Sequence, residues 1–179
     1  MQDLLDILSA MAAKKDEVDN PRELFLDMAD RIVKNVCGSF GTKSDEVAIL
    51  VLTSDAKHLR FAAPRKFSDL GTIPVTKRDS IAVNILGKKV GEAMNNVPMV
   101  KHVAFFESVK LRDRPVPIQK MITVPILDGA EPIGVAQISR KGETPAEAGP
   151  DFTATDVRRA EDFFRAVAPY LAQARPERF

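Results

Sequence analysis

Residues 124–142 read VPILDGAEPIGVAQISRKG, two apolar runs on either side of Asp128-Gly129. An Asp-Gly pair between apolar runs is a strong hairpin signal, because glycine supplies the backbone conformation that a tight turn needs. Ahead of the turn, Ile118, Ile122, Val124 and Ile126 alternate with more polar neighbours, as in a strand with one face on a core. The return strand spans Ile133 to Ile138, and Gly134 within it marks a bend or a close approach of another backbone. Strands joined by so short a turn pair antiparallel.

Working outward, a Gly/Pro/Glu-rich loop (141–151) separates the hairpin from a helix that opens at TATD, where Thr153 and Asp156 form a capping box. Val157, Ala160, Phe163, Phe164, Val167, Tyr170, Leu171 and Ala174 make its apolar stripe, and Pro169 is expected to bend it or loosen its last turns. Upstream, the run EVAILVLTS is apolar on both faces and predicts a covered central strand. After a Ser54-Asp55 turn, Leu59, Phe61 and Ala63 alternate with His58 and Arg60. The N-terminal quarter holds two helices. Residues 3–14 align Leu4, Leu5, Leu8, Met11 and Ala12, and a charged linker follows. A helix capped by Asn20, with Pro21 first and Gly38 as its expected stop, aligns Phe25, Met28, Ile32, Val33 and Val36.

Residues 64–116 carry short basic clusters and weak periodicity. Asp79 is placed to cap a short helix over DSIAVNILGKKV, and PMVKHVAFFESVK predicts another, with Val100, Val103, Phe106 (or Phe105) and Val109 inward. An irregular region between confident strands is where small-molecule sites are commonly built. The whole order predicts an α+β fold, with an antiparallel sheet covered on one face by the terminal helices.

At this point the chain resembles the GAF domains, sensory modules of bacterial and eukaryotic signalling proteins. The shared pattern is Val124-Pro125-Ile126, then Ile133-Gly134-Val135, then Phe152-Thr153 with Asp156 opening the last helix. It covers roughly residues 21–174 and is most specific in the C-terminal third. The resemblance implies a sheet of about six strands, N- and C-terminal helices on one face, and a loop- and helix-closed pocket on the other. It also implies regulation rather than catalysis, and dimers built from the terminal helices. The expected division is an amphipathic helix and linker over 1–19, for dimerisation, and the domain proper over 20–176. The N-terminal stripe has one other destination, its own domain.

Within that frame Phe105 or Phe106 supplies the expected apolar wall of the pocket, Met121 and Thr123 the floor, and Lys110 and Arg112 the rim, beside His102. Guanidinium and ammonium groups at a rim, Arg114 included, favour an anionic ligand. The dull reading of the same residues is plain core and solvated loop. Cyclic-nucleotide-binding relatives carry a signature that Lys141, Phe152 and Asp156 match only in part, and a Lys141–Asp156 pair with Phe152 as a plug explains those residues structurally. Relatives that reduce free methionine sulfoxide need a second thiol, whereas Cys37 stands alone and reads as a buried small hydrophobe. His102 or His58 is the only haem ligand on offer, and no spacing fits a metal.

Bulk properties agree with a small regulatory domain. The 179 residues hold 26 basic and 25 acidic side chains, net +1, with 45% apolar residues. Such a chain has no general attraction for nucleic acid or anionic membranes, and no apolar run approaches the ~20 residues that span a bilayer. One cysteine excludes an internal disulfide and fits a reducing cytoplasm. The expected function is non-catalytic small-molecule sensing, with no cofactor identified and with output through a separate partner protein. The alternative is a ligand-free scaffold of the same fold.

Overall fold

A computed structural model gives the structure, and residues 1–99 and 116–179 are described. Six strands form one sheet: β1 (Val47–Leu52), β2 (His58–Ala63), β3 (Thr72–Pro74), β4 (Glu92–Met94), β5 (Ile118–Asp128) and β6 (Glu131–Lys141). Their order across the sheet is β3-β2-β1-β6-β5-β4, and every neighbouring pair runs antiparallel. Four helices accompany them among the described residues: α1 (Gln2–Ala13), α2 (Pro21–Phe40), α3 (Ile81–Lys88) and α4 (Ala154–Ala174). The α+β class and the antiparallel sheet are as the sequence predicts.

The β5–β6 hairpin lies inside the sheet, and both its strands are buried on both faces over most of their length. Its tip is one residue later than Asp128-Gly129. Asp128 still pairs with Glu131, so Gly129 and Ala130 make the loop, and Gly129 takes a φ of +61°. Gly134 marks a close approach, as its place in the strand predicts. A Cβ there would overlap the carbonyl oxygen of Leu50 on β1.

One face of the sheet carries α1, α2 and α4. Val47, Ile49, Val51, Ile122, Val124, Ile126, Ala136 and Ile138 meet Phe25, Met28, Ile32, Phe163, Phe164 and Leu171 there. Leu4, Leu8 and Ala12 of α1 are buried in this same core, against α2 and α4. Burying each such leucine contributes about 1.5–3 kcal/mol, enough to hold a helix that is marginal alone. Asn20 caps α2 as its type predicts, accepting from the Glu23 amide at 3.1 Å. The helix runs through Gly38, however, and stops at Gly41, whose φ is +63°. Phe40 extends the buried stripe by one turn, and its burial outweighs the ~1 kcal/mol cost of a helical glycine.

Other local corrections share one cause, a nearer partner. Ser80 rather than Asp79 caps α3, accepting from the Val83 amide. Lys141 pairs with Asp45 at 2.7 Å instead of reaching Asp156, which closes the capping box with Thr153. Arg65, in one of the short basic clusters of 64–116, donates to Glu23, Asp27 and Asp30 along α2 and binds the β2–β3 connection to that helix. α4 continues past Pro169 to Ala174, because Ala168, Leu171 and Ala174 stay buried while the proline sits on the solvent side.

Candidate functional site

The face of the sheet away from the long helices is built from three cross-strand rows. Pro125 of β5 opposes Val135 of β6, and Val135 opposes Leu50 of β1. Thr123 opposes Gln137, which opposes Ala48. Met94 of β4 opposes Met121, which opposes Ser139. The β5–β6 register shifts between Ile118 and Lys120. That irregularity lets Ile118 join Met121 on this face while Ile122, Val124 and Ile126 turn to the helix-side core.

The rows differ in chemistry. The Pro125–Leu50 row is apolar and is covered by α3, whose Ala82, Val83, Ile85 and Leu86 pack with Leu50, Phe61, Phe67 and Val135. The next two rows carry Thr123, Gln137 and Ser139, at 2%, 5% and 4% exposure. Gln137 donates its side-chain amide to Thr123 Oγ1 at 3.2 Å, and Ser139 donates to the Glu46 carbonyl at 2.8 Å. Val97, in a short turn after β4, is buried with Ile118 and Met121 at the far end.

Buried neutral polar side chains need internal partners, since an unpaired one costs about 1–3 kcal/mol. These have them, and together they make an uncharged floor. A crevice between β1 and the hairpin, bordered by Asp45 and Glu46 on one side and by Ile118, Met121, Gln137 and Ser139 on the other, measures about 10 Å³, room for a single water at most. Charge sits at the margin. Burial works to raise the Asp45 carboxyl, but the hydrogen bond to Lys141, the charge of Lys141 and a backbone hydrogen bond together outweigh it and hold that carboxyl below the usual range.

Met121 and Thr123 thus lie side by side on one face, two residues apart, both buried. His102, Phe105, Phe106, Lys110, Arg112 and Arg114 lie outside the described residues, as does most of the helix expected over 98–110. Gln137 and Ser139 escaped the sequence reading, although their alternation with Val135 in VAQIS placed them on the face opposite Ala136 and Ile138. Asn95 also escaped it. Its side chain donates to the Phe152 carbonyl and accepts from the Phe152 amide, both at 2.9 Å, and no local pattern announces a partner so distant in sequence.

Cys37 is half-buried rather than buried. It packs against the helix-side core, across the sheet from Met121 and Thr123. Burial is the main influence on its thiol and raises its pKa. No group of acidic, histidine or cysteine side chains among the described residues is arranged to hold a metal. No helix among them is long and apolar enough to cross a membrane.

The sequence matches no protein-family profile, and no curated protein matches it. Solved structures do match. The GAF domain from a phosphoenolpyruvate-protein phosphotransferase of Coxiella burnetii superposes with a TM-score of 0.64 at 11% identity, over 96% of this chain and 94% of that one. The GAF-B domain of DevS from Mycobacterium smegmatis gives 0.56 at 14%, over 87% and 95%. A type II free methionine-R-sulfoxide reductase from Thermoplasma acidophilum gives 0.59 at 17%, over 86% and 96%. Identities this low speak to architecture alone, and on that evidence the chain has the GAF-domain fold.

Proposed function

We propose that this chain is a non-catalytic sensory or regulatory module that takes a small molecule on the outer face of the β5–β6 hairpin and passes the change to a partner protein. The observation that carries the reading is the row of buried neutral polar side chains, Thr123, Gln137 and Ser139, on that face. Buried polar groups in an otherwise apolar surface are costly to maintain, and a few convergent ones in an apolar setting are what ligand sites use to fix orientation. The three polar side chains of the described floor are uncharged, and the charged residues beside them, Asp45 and Glu46, are acidic. An anionic ligand therefore depends on the expected rim of Lys110 and Arg112, and a neutral one bearing amide or hydroxyl groups on the floor itself. Dimerisation through the terminal helices and a cytoplasmic location belong to the same reading.

Two features support regulation over catalysis. The floor's hydroxyls are engaged in structural hydrogen bonds, Thr123 with the Gln137 amide and Ser139 with the Glu46 backbone carbonyl, and the one thiol packs on the opposite side of the sheet with its pKa raised. Redox turnover needs a thiolate and a resolving thiol.

A ligand-free scaffold of the same fold is the second reading, favoured by the roughly 10 Å³ crevice at the described part of the floor. Native mass spectrometry of the purified full chain separates the two and reports the oligomeric state. A retained small molecule, released on denaturation and lost in a Thr123→Val, Gln137→Leu variant, supports sensing. An empty protein whose melting temperature no metabolite in a broad panel raises supports the scaffold.

A further inference from the structure

We propose that Asn95 is a positioning residue that couples the floor of the site to the start of α4. The proposal rests on the sensory reading for its purpose but not for its test. Asn95 directly follows β4, whose last residue, Met94, pairs with Met121 of the floor. Two residues further on, Val97 is buried against Met121 and Ile118. Asn95 therefore stands between two contacts with the same floor residue.

Its side chain meets Phe152 reciprocally, donating through Nδ2 to the carbonyl and accepting at Oδ1 from the amide, each at 2.9 Å. One side-chain amide thus satisfies both backbone groups of a residue, as a ladder strand would. Phe152 is itself fixed. Its ring is buried, and the Arg140 guanidinium lies 4.2 Å from the ring centroid. The next residue, Thr153, is the N-cap of α4, so the backbone position of Phe152 sets where that helix begins.

The other end of the strand is clipped to the same helix, where the Gly91 amide donates to Glu161 Oε1 at 2.6 Å. A Cβ at Gly91 would lie 2.8 Å from that oxygen and from Val124. The clip at Gly91 holds the strand against α4. The clip at Asn95 adjoins Met121 and Val97, and it passes their displacement to the first turn of α4. Only an amide fits the role: aspartate keeps the acceptor but loses the donor, and alanine loses both.

The test is hydrogen exchange, read by mass spectrometry on the full chain, with the floor perturbed by mutation instead of by a ligand. Met121→Ala and Val97→Ala are each made in the parent and in Asn95→Asp. In the parent, either change should speed exchange across residues 154–160 about fivefold, the scale set by one hydrogen bond's worth of protection. In Asn95→Asp the same changes should alter that segment less than about twofold. Should Asn95→Asp not fold, Asn95→Gln carries the same comparison, since it keeps both groups but displaces them by one methylene. Equal effects in the two backgrounds, or none in the parent, overturn the coupling and leave the sensing proposal to its own ligand test.

Discussion

Gly134 lies against the carbonyl of Leu50 so closely that no side chain fits between β6 and β1. The two strands pair at the middle of the sheet, Val51 opposite Gly134, and the obstructing atoms are backbone. Backbone in a central strand cannot swing aside as the end of a flexible side chain does. Gly134→Ala should therefore destabilise at or above the upper end of the ~1–3 kcal/mol range for overpacking. Urea denaturation of the variant checks this; a cost below half that range means that the strands separate more easily than their pairing implies.

Leu8 is fully buried between α1 and the rest of the helix layer. Leu8→Ala should cost about 2–5 kcal/mol, as for other core leucines. If α1 instead serves chiefly to pair two copies, the cost will fall as protein is diluted. Denaturation at several concentrations, with light scattering on the same samples, distinguishes an intramolecular dock from a dimer seam.

The capping box of α4 should give a pH signature. Asp156 accepts from the Thr153 amide at 2.9 Å and from Thr153 Oγ1 at 2.7 Å, and the backbone bond is the main cause that lowers its pKa. A carboxyl depressed in the folded state adds stability above its unfolded pKa of about 3.9, and that stability is lost as pH falls through the folded value. Thr153→Ala should cost about 1 kcal/mol at neutral pH. The gap between parent and variant should narrow below about pH 4. Thermal melts of both proteins from pH 7 to pH 3 measure it.

Cys37 should be a sluggish thiol. Burial raises its pKa, so at pH 7 its thiolate fraction lies below that of a free cysteine. Alkylation by iodoacetamide should be slower than for a model thiol at pH 7 and should accelerate with pH to beyond the ordinary cysteine midpoint. Faster-than-free reaction at pH 7 would reopen the case for redox chemistry.

The Thr123–Gln137 pair should behave non-additively. Either single change, Thr123→Val or Gln137→Leu, strands a buried polar partner and should cost about 1–3 kcal/mol. The double variant replaces both and should approach the parent's stability. A double-mutant cycle by chemical denaturation reads the coupling, and strictly additive costs mean that each group has another partner.

How much was legible in advance depended on the range of the interaction. The hairpin at 124–142, the Asn20 cap and the Thr153–Asp156 box are patterns within a few residues, and all were readable. The stop of α2 was misplaced because Gly38 is a local signal, whereas the burial of Phe40 depends on the assembled core. The Lys141–Asp156 pair failed for the same reason, since Asp45 comes alongside Lys141 only when the chain folds. Of the residues expected at the site, Met121 and Thr123 lie on one face of β5, and the rest lie outside the described residues. Gln137 and Ser139 carried the signal of alternation, and Asn95 carried none.

What the sequence determined by itself was periodicity, turns and caps, and through them the α+β class, since strand alternation and helix spacing follow from covalent geometry. Which face of the sheet each strand residue meets was decided only in the tertiary structure. The register shift at the start of β5 sends Ile118 to one face and Ile122 to the other, though both are isoleucines in one apolar run. The joining of Asn95 to Phe152 was decided there too, because two groups so distant along the chain meet only after the sheet and α4 have closed on each other.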